Sequence, residues 1–385
     1  MSPNLETSFW ERMGLQETDR NVCARVVEER YPGCIVAEFK DQGYCSFTLL
    51  VSRPGPQDSA THSDGPQDDD SSNSPLREES ASSIVQIRPS QHCLDLRILR
   101  AAKETYGAFA PTIRSLTVHL PGRLQAFEMD RLQGTPFSRL RPHSPTPGPA
   151  TRQKQQNLVA SFATFVACAW PSPQSTPPRI REDSPIFDGP AWLAQCTGKV
   201  GAEILPKLEK LARELPDGAL RERAKETLKS LMSIRDFPVV LCHGDLIPSN
   251  ILVDEETWRI AGMVDWAEAE WLPFGTCLYG LEHLLGYPSR YCLASESLGT
   301  VARTRLKWWY YGNADELRMF FWERLVEERP GMRVRLGDVG VMRDVGVLLW
   351  LGYAWDEGRI DRVVNEVDDG EEVECLRAFL GVGKR

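Results

Sequence analysis

The residues of this chain best suited to chemistry lie in the stretch 243–250, which reads His-Gly-Asp-Leu-Ile-Pro-Ser-Asn, and at a second carboxylate, Asp265. A pattern of H-G-D-L-x-x-x-N followed by a separate Asp suits phosphoryl transfer. One carboxylate orients an acceptor hydroxyl, and an amide and a second carboxylate hold metal ions against nucleotide phosphates. His-Gly-Asp alone could equally be an ordinary turn. The matching spacing of four residue types favours the catalytic interpretation.

Short apolar runs predict the elements that position this motif. Residues 239–241 lead into it, residues 251–253 leave it, and residues 260–264 return after the polar turn at 254–256. β-Branched and aliphatic runs separated by polar turns are typical of strands. The order strand, loop, strand, turn, strand therefore brings both carboxylates and Asn250 to one end of a small hairpin.

This region resembles the aminoglycoside phosphotransferase and choline kinase family, and most closely its fungal members. Gly244 stands where protein kinases carry Arg, and Asp265-Trp266 replaces their Asp-Phe-Gly. The segment 271–275, Trp-Leu-Pro-Phe-Gly, and the segment 129–134, similar to the hinge pattern M-x-x-L-x-G, extend the resemblance.

The resemblance implies an α+β, protein-kinase-like bilobal fold. A small β-rich N-lobe would cover residues 1–132 and bind the nucleotide, and a larger helical C-lobe would cover 133–385. The catalytic loop would be 243–250 and the metal loop 263–275. Residues 53–82, rich in Ser, Asp, Pro and Gly, are predicted to be a disordered insertion in the N-lobe.

The same resemblance assigns roles in the catalytic and metal loops, with ATP and Mg²⁺ as cofactors. Asp245 would be the catalytic base or the carboxylate that orients the acceptor. Asn250 and Asp265 would hold Mg²⁺, which prefers hard oxygen ligands. His243 would hold the catalytic loop through hydrogen bonds rather than titrate in the reaction.

Nucleotide-binding residues are expected in the N-lobe. Backbone N–H groups near Gly43 and the Ser46 hydroxyl would face the phosphates. Arg88, on the predicted strand 84–89, stands where kinases place a phosphate-binding Lys. An acid on the following helix, 94–106, would pair with it; Asp95 is the candidate and Glu104 the alternative. Asp95 could equally be an N-terminal cap.

The hinge that reads adenine through its backbone is expected around Glu128 and Met129. These residues end the strand predicted at 124–129.

Composition bounds the remaining function classes. The chain has 385 residues, 42% hydrophobic and 26% charged, and a net charge of −9. An acidic chain is a poor general nucleic-acid binder. The ten cysteines form no C-x-x-C pair, which favours a reduced, cytoplasmic protein. No run is apolar and long enough for a membrane span. The family resemblance implies a small-molecule acceptor as the partner.

The second half of the chain is predicted to be mostly helical. Periodicity indicates long helices at 155–170, 200–215 and 219–234. Further helices are expected near 276–286, 300–311, 314–328, 339–355 and 370–380.

Aromatic residues of this half, including Trp308-Trp309-Tyr310-Tyr311 and Trp355, could bind an ammonium group. A packed core is the more common role for such residues. Glu268, Glu270 and Asp356 are candidate contacts to the acceptor.

Three functions remain open at this point. The leading one is ATP-dependent transfer of the γ-phosphate to a hydroxyl of a small molecule, such as an aminoglycoside-, choline- or metabolite-like acceptor. Arg88 and the missing Gly-rich loop motivate the second, a catalytically weak nucleotide-binding pseudoenzyme or scaffold. A protein kinase is disfavoured by Gly244 and by the absence of Asp-Phe-Gly and Ala-Pro-Glu signatures.

Overall fold

The computed structural model describes residues 9–40, 42–54, 82–171, 189–292, 304–356 and 359–382. The chain divides into an N-terminal unit, residues 2–96 and 112–131, and a C-terminal unit, residues 97–111 and 132–385. The domain boundary expected after residue 132 stays a prediction. Residues 97–111, expected in the N-lobe, instead cluster with the C-terminal unit. Most of the predicted insertion, residues 55–81, lies outside the described residues.

Strands occupy mainly the N-terminal unit and the surroundings of the candidate catalytic loop. They are β1 (Ile35–Glu38), β2 (Phe47–Ser52), β3 (Ser82–Pro89), β4 (Ile113–Leu116), β5 (Leu124–Asp130), β6 (Thr135–Pro136), β7 (Val239–Cys242), β8 (Ile251–Val253), β9 (Ile260–Met263), β10 (Glu270–Pro273), β11 (Gly286–Cys292) and β12 (Thr304–Tyr310).

Most helices lie in the C-terminal unit, whereas α1 and α2 lie in the N-terminal unit. The helices are α1 (Phe9–Arg12), α2 (Glu17–Arg30), α3 (Leu96–Tyr106), α4 (Phe137–Leu140), α5 (Pro149–Cys168), α6 (Gly198–Gly201), α7 (Ile204–Glu214), α8 (Gly218–Ser233), α9 (Tyr279–Leu284), α10 (Ala314–Glu328), α11 (Leu336–Leu351) and α12 (Gly370–Leu380). Short 3₁₀ turns lie at Ser90–His92, Gly107–Phe109, Ala191–Gln195, Trp266–Glu268, Thr276–Leu278 and Pro330–Arg335.

The N-terminal unit is built on a five-stranded antiparallel sheet in the order β1-β2-β3-β5-β4. Side chains alternate between the two faces of each strand. On β3, Val85 and Ile87 are fully buried in a core that also contains Trp10 and Val27 from the two leading helices. The same alternation places Arg88 on the opposite face of the sheet.

Two small sheets carry the candidate catalytic loop of the C-terminal unit. β7 pairs with β10, and β8 pairs with β9 and β6, all antiparallel. β7, with Val239, Val240, Leu241 and Cys242 all buried, ends where the loop begins. β8 is likewise buried at each residue. Strands without a solvent face explain the unbroken apolar runs in the sequence.

The helix predicted near 300–311 is wrong. Residues 304–310 form β12, which pairs with β11 over seven residues, from Gly286↔Tyr310 to Cys292↔Thr304. Trp308 is buried, whereas the next residue, Trp309, is 41% exposed. This alternation over one residue belongs to a strand, and it was hidden in the sequence because aromatic residues occupy both faces.

Most other predicted elements are present. α10 and α12 coincide with the ranges expected from periodicity, and α8 begins at Gly218, where the Asp217 carboxylate caps it by accepting the Ala219 N–H at 2.8 Å. The result is a β-rich N-terminal unit followed by a mainly helical C-terminal unit. None of the helices in the described ranges combines the length and apolarity needed to cross a membrane.

Candidate active site

The loop 243–250 connects β7 to β8 and is held mainly by its own backbone. The Ile247 N–H donates to the Asp245 carbonyl at 3.1 Å, and the Asn250 N–H donates to the Ile247 carbonyl at 2.9 Å. The Val264 N–H donates to the Asn250 carbonyl at 3.0 Å. This last bond ties the predicted catalytic loop directly to the predicted metal loop.

His243 is a buried cross-link between the same two loops. Its Nε2–H donates to the Val264 carbonyl at 2.9 Å, and its Nδ1 accepts the Asp245 N–H at 3.3 Å. These bonds require the neutral tautomer protonated on Nε2. Burial lowers the pKa of His243 to about 3, because the charged form would lose its hydration. The ring also packs against Trp266 at a centroid distance of 4.4 Å.

Asp245 and Asn250 are hydrogen-bonded to each other. The Asn250 side-chain Nδ2 donates to Asp245 Oδ2 at 2.8 Å and to the Asp245 carbonyl at 3.0 Å. Burial raises the pKa of Asp245 to about 7, and the negative charge of Asp265 adds to the rise; the bond from Asn250 opposes it. The structure thus brings Asp245, Asn250 and Asp265 together, as the spacing predicted.

Two residues of the site, Gly244 and Asp265, have left-handed backbone conformations that few residue types adopt. Gly244 has φ +83°, and a Cβ added there would lie 1.8 Å from the Glu268 carbonyl oxygen. No larger residue fits, which explains why Gly stands at this position. Asp265 has φ +61° and ψ +62°, the left-handed region that non-glycine residues seldom occupy. Strain of this kind is often concentrated at functional sites.

The donor set fits a divalent metal of the Mg²⁺ type. Asn250 uses its Nδ2 on Asp245, so its side-chain oxygen is the atom that would be available to a metal. The mutual repulsion of Asp245 and Asp265 raises the pKa of Asp245, and a bound cation would relieve that repulsion. Carboxylate and amide oxygens are the ligands that Mg²⁺ prefers.

Arg88 lies on β3 on the sheet face opposite the apolar core. It is only 6% exposed. Its Nε donates to Gln86 Oε1 at 3.1 Å and its Nη1 to the His92 carbonyl at 3.5 Å. Asp95 is exposed and directly precedes α3, and Glu104 is exposed on α3 itself.

The loop between β1 and β2 differs from the prediction for Ser46. This residue is 2% exposed, and its hydroxyl lies 3.4 Å from that of Thr48. It therefore does not present a hydroxyl for phosphate. The Gln42 side chain closes the loop by bonding the Thr48 N–H at 2.8 Å and carbonyl at 2.9 Å. A Cβ at Gly43 would lie 2.9 Å from the Ser46 hydroxyl oxygen.

Glu128 and Met129 are also placed differently from the expected hinge. Both lie inside β5, between β3 and β4, in register with Val85 and Ile84 on one side. A strand flanked on both sides commits its N–H and carbonyl groups to its neighbours. These two residues therefore do not offer a free backbone to adenine. The connection 131–134, which follows the strand, is the better candidate.

Two of the three carboxylates proposed to contact the acceptor, Glu270 and Asp356, are bonded to other groups of the protein. Glu270 is 7% exposed, and its carboxylate accepts the backbone N–H groups of Lys199, Val200 and Gly201 at the start of α6. Asp356 forms an ion pair with Arg362 at 2.9 Å. Glu270 is thus a helix cap and Asp356 an ion-pair partner.

Glu268 remains the available carboxylate near the loop. Its Oε2 lies 3.5 Å from the Lys199 Nζ, which also lies 5.6 Å from the ring centroid of Trp355. Trp355 is 46% exposed. The Glu268 backbone lies directly against Gly244 of the loop, and the negative charge of Glu268 adds slightly to the raised pKa of Asp245.

Tyr279 is a residue that the sequence did not single out. It lies on α9, and its hydroxyl accepts the Leu246 N–H at 2.9 Å. The two residues are 33 positions apart, and no local pattern links them. Tyr106, on α3, likewise donates its hydroxyl to the Leu241 carbonyl at 2.6 Å, just before the loop.

Comparison with known proteins gives a family match that includes the loop. The model of the phosphotransferase enzyme family (APH) matches residues 96–276. Among curated proteins, none matches the chain.

Several solved structures are similar over most of their length. A ternary complex of aminoglycoside phosphotransferase APH(4)-Ia with ADP and hygromycin B is 13% identical with a TM-score of 0.45, covering 94% of this chain and 99% of that one. APH(3'')-Id from Streptomyces rimosus, with ADP and streptomycin, is 12% identical (TM-score 0.39; 85% and 98%). Macrolide 2'-phosphotransferase MphH from Brachybacterium faecium is 14% identical (TM-score 0.44; 95% and 99%).

Proposed function

We propose that the protein transfers the γ-phosphate of ATP to a hydroxyl of a small molecule. The proposal rests on the match of residues 96–276 to the phosphotransferase enzyme family and on the kinase-like α+β fold of the chain. The resemblance to aminoglycoside phosphotransferases that the motifs indicated is confirmed by this match. ATP as the donor, Mg²⁺ as the metal and the acceptor hydroxyl are parts of the proposal.

The observation that carries the proposal is the grouping of Asp245, Asn250 and Asp265 on two loops tied together by backbone bonds. Asn250 orients the Asp245 carboxylate through one oxygen at 2.8 Å. The other oxygen is then available to an acceptor hydroxyl. A carboxylate within hydrogen-bond reach of the acceptor hydroxyl can accept its proton during the transfer.

The remaining residues hold this geometry. His243, kept neutral by burial, joins the two loops without exchanging protons itself. Asn250 and Asp265 would hold Mg²⁺, which would neutralise charge on the phosphates. Arg88 contributes a permanent positive charge that suits the nucleotide phosphates.

The rim formed by Glu268, Lys199 and Trp355 supports an acceptor that carries a positive charge. Lys199 places an ammonium group between a carboxylate and an indole ring. Carboxylates and aromatic faces together favour cations. An amino-bearing acceptor could take the position of this ammonium group with its hydroxyl directed toward Asp245.

The experiment is ATP turnover by the purified protein with Mg²⁺ across a panel of amino alcohols, aminoglycosides, macrolides and neutral sugars. Asp245→Asn is the matched control, since it keeps the size and the bond to Asn250 but cannot accept a proton. Acceptor-dependent turnover that disappears in this variant supports the proposal. Turnover that survives Asp245→Asn refutes the assigned role.

A second function, nucleotide binding without turnover, is favoured by one specific observation. In the loop between β1 and β2, where the phosphates would lie, the Gln42 side chain bonds the backbone N–H and carbonyl of Thr48. The Ser46 side chain in the same loop is buried. Magnesium-dependent ATP binding, measured by calorimetry, without phosphate transfer to any member of the panel would favour this function. Failure to bind ATP would contradict both.

A further inference from the structure

Helix α9 lies directly against the candidate catalytic loop. A Cβ added at Gly280 would be 2.8 Å from the Leu246 Cβ, 3.2 Å from the Leu246 carbonyl oxygen and 3.3 Å from the ring of Phe162. There is no room for even a methyl group without displacement. The backbone of the helix therefore packs on the loop at the residue that follows Asp245.

Tyr279 makes the polar part of this contact. Its hydroxyl accepts the Leu246 N–H at 2.9 Å, and its ring is 1% exposed and stacked on Trp350 at 5.2 Å and 14°. Burial, with the nearby Asp245 charge, raises the pKa of Tyr279 well above its usual range, so the hydroxyl stays neutral. A ring held on two sides keeps its oxygen in one place.

The Leu246 N–H differs from the other bonded amides of the loop. The N–H groups of Asp245, Ile247 and Asn250 bond to partners within 243–250. The Leu246 N–H bonds outside the loop, to Tyr279. It belongs to the peptide that joins Asp245 to Leu246, so this bond fixes the torsion angle ψ of Asp245. A buried N–H without a partner would be strongly unfavourable.

The other end of α9 is anchored by charge. Glu282 is fully buried and forms ion pairs with Arg318 at 2.9 Å and Arg343 at 2.7 Å, and it accepts the Tyr310 hydroxyl at 2.8 Å. A helix of six residues is too short to be stable by itself. Its position is therefore set by the loop at one end and by these contacts at the other.

We infer that Tyr279 is a positioning residue for phosphoryl transfer: it fixes the Asp245 carboxylate toward the acceptor hydroxyl through the Leu246 N–H, and α9 is held for this purpose by the Glu282 ion pairs. Tyr279 acts through the backbone and does not touch the reacting atoms. The inference rests on the proposed function for its kinetic part only.

The test compares Tyr279→Phe with Tyr311→Phe, which removes another buried hydroxyl of the C-terminal unit. Tyr311 is 2% exposed and donates to the Pro142 carbonyl at 2.9 Å. The probe reaction is phosphate release from Mg²⁺-ATP with water as the acceptor, and with any acceptor found in the panel. Hydrogen exchange of the Leu246 amide and thermal unfolding are measured on all three proteins.

For Tyr279→Phe we expect faster exchange at Leu246 and a fall in kcat of about tenfold to a hundredfold, because small displacements of a reacting group have effects of this size. The KM for ATP should stay unchanged. Tyr311→Phe should lose comparable thermal stability and keep its kcat and its Leu246 exchange.

An unchanged kcat in Tyr279→Phe overturns the inference. So does a fall in kcat that Tyr311→Phe reproduces, since that would reflect general destabilisation. If the wild-type protein shows no turnover at all, the proposed function fails. The positioning contact is then judged by exchange alone, and unchanged Leu246 exchange in Tyr279→Phe overturns it.

Discussion

Replacing Gly244 by Ala should damage the catalytic loop far more than its small size suggests. The added Cβ would lie 1.8 Å from the Glu268 carbonyl oxygen, whereas real Cβ contacts stay beyond 3.0 Å. The two loops must therefore separate by about 1.2 Å, the difference between these distances. The atom in the way is backbone, so no side-chain rotation can relieve the clash.

Two effects contribute to the magnitude. A non-glycine residue at φ +83° costs about 1–2 kcal/mol. Forcing an extra methyl group into a packed site costs a further 1–3 kcal/mol or so. We expect Gly244→Ala to lower the free energy of unfolding of the C-terminal unit by about 2–5 kcal/mol in total. Displacing Asp245 by about 1 Å should also reduce turnover roughly a hundredfold.

Gly107→Ala separates these two effects. Gly107 has φ +56° in the same unit, but a Cβ there would meet nothing within 4 Å. It should lose only the conformational part, about 1–2 kcal/mol. Urea unfolding followed by tryptophan fluorescence, with hydrogen exchange over residues 239–275, measures both variants. Equal losses in the two proteins, or full activity in Gly244→Ala, would refute the reasoning.

Three further predictions concern charge. Burial lowers the pKa of His243 to about 3, so the stabilisation by neutral His243 is complete above pH 6.5 and is lost as the pH falls toward 3. Urea titrations should show the free energy of unfolding to be about 2 kcal/mol lower at pH 5 than at neutral pH. His243→Gln should reduce this pH-dependent loss. Glu282→Ala removes the buried carboxylate that Arg318 and Arg343 share and should lower the free energy of unfolding by about 3–5 kcal/mol. The control is Glu327→Ala, which removes an exposed carboxylate paired with Arg324 and should cost less than about 1 kcal/mol; similar losses in the two variants would contradict this. Arg88→Ala should weaken ATP binding about tenfold by calorimetry, and unchanged affinity would remove Arg88 from the nucleotide site.

The sequence was most informative where structure is local. The catalytic loop lies between short buried strands. Asp265, on the metal loop, follows Asp245 by only 20 positions, so the spacing in the sequence was enough to predict that the two carboxylates lie close together. α10 and α12 were predicted at the bounds that the structure shows, and Gly381, with φ +65°, ends α12 with a local signal.

Contacts between distant segments explain what could not be predicted. β12 has strand character only through its pairing with β11. Ser46 is buried because the Gln42 side chain closes the loop around it, an arrangement that no turn pattern specifies. Glu128 and Met129 were placed in a hinge because the motif after them matched, whereas pairing with β3 and β4 keeps both within the sheet. Tyr279 had no signal, since its role depends on a residue 33 positions away.

The Glu270 carboxylate accepts three consecutive backbone N–H groups at the start of α6. This contact bears on which residues near the site can be substituted to change the preferred acceptor. It joins the helix bearing Lys199 to the strand that follows Glu268, so these two rim residues are carried on one rigid piece. A Cβ at Gly198 would also strike the Glu270 side chain, which restricts substitution of this glycine. Trp355 lies on a separate segment with an exposed side chain. Directed evolution for new acceptors should therefore accumulate substitutions around Trp355 first and reach the Lys199 side only after compensating changes.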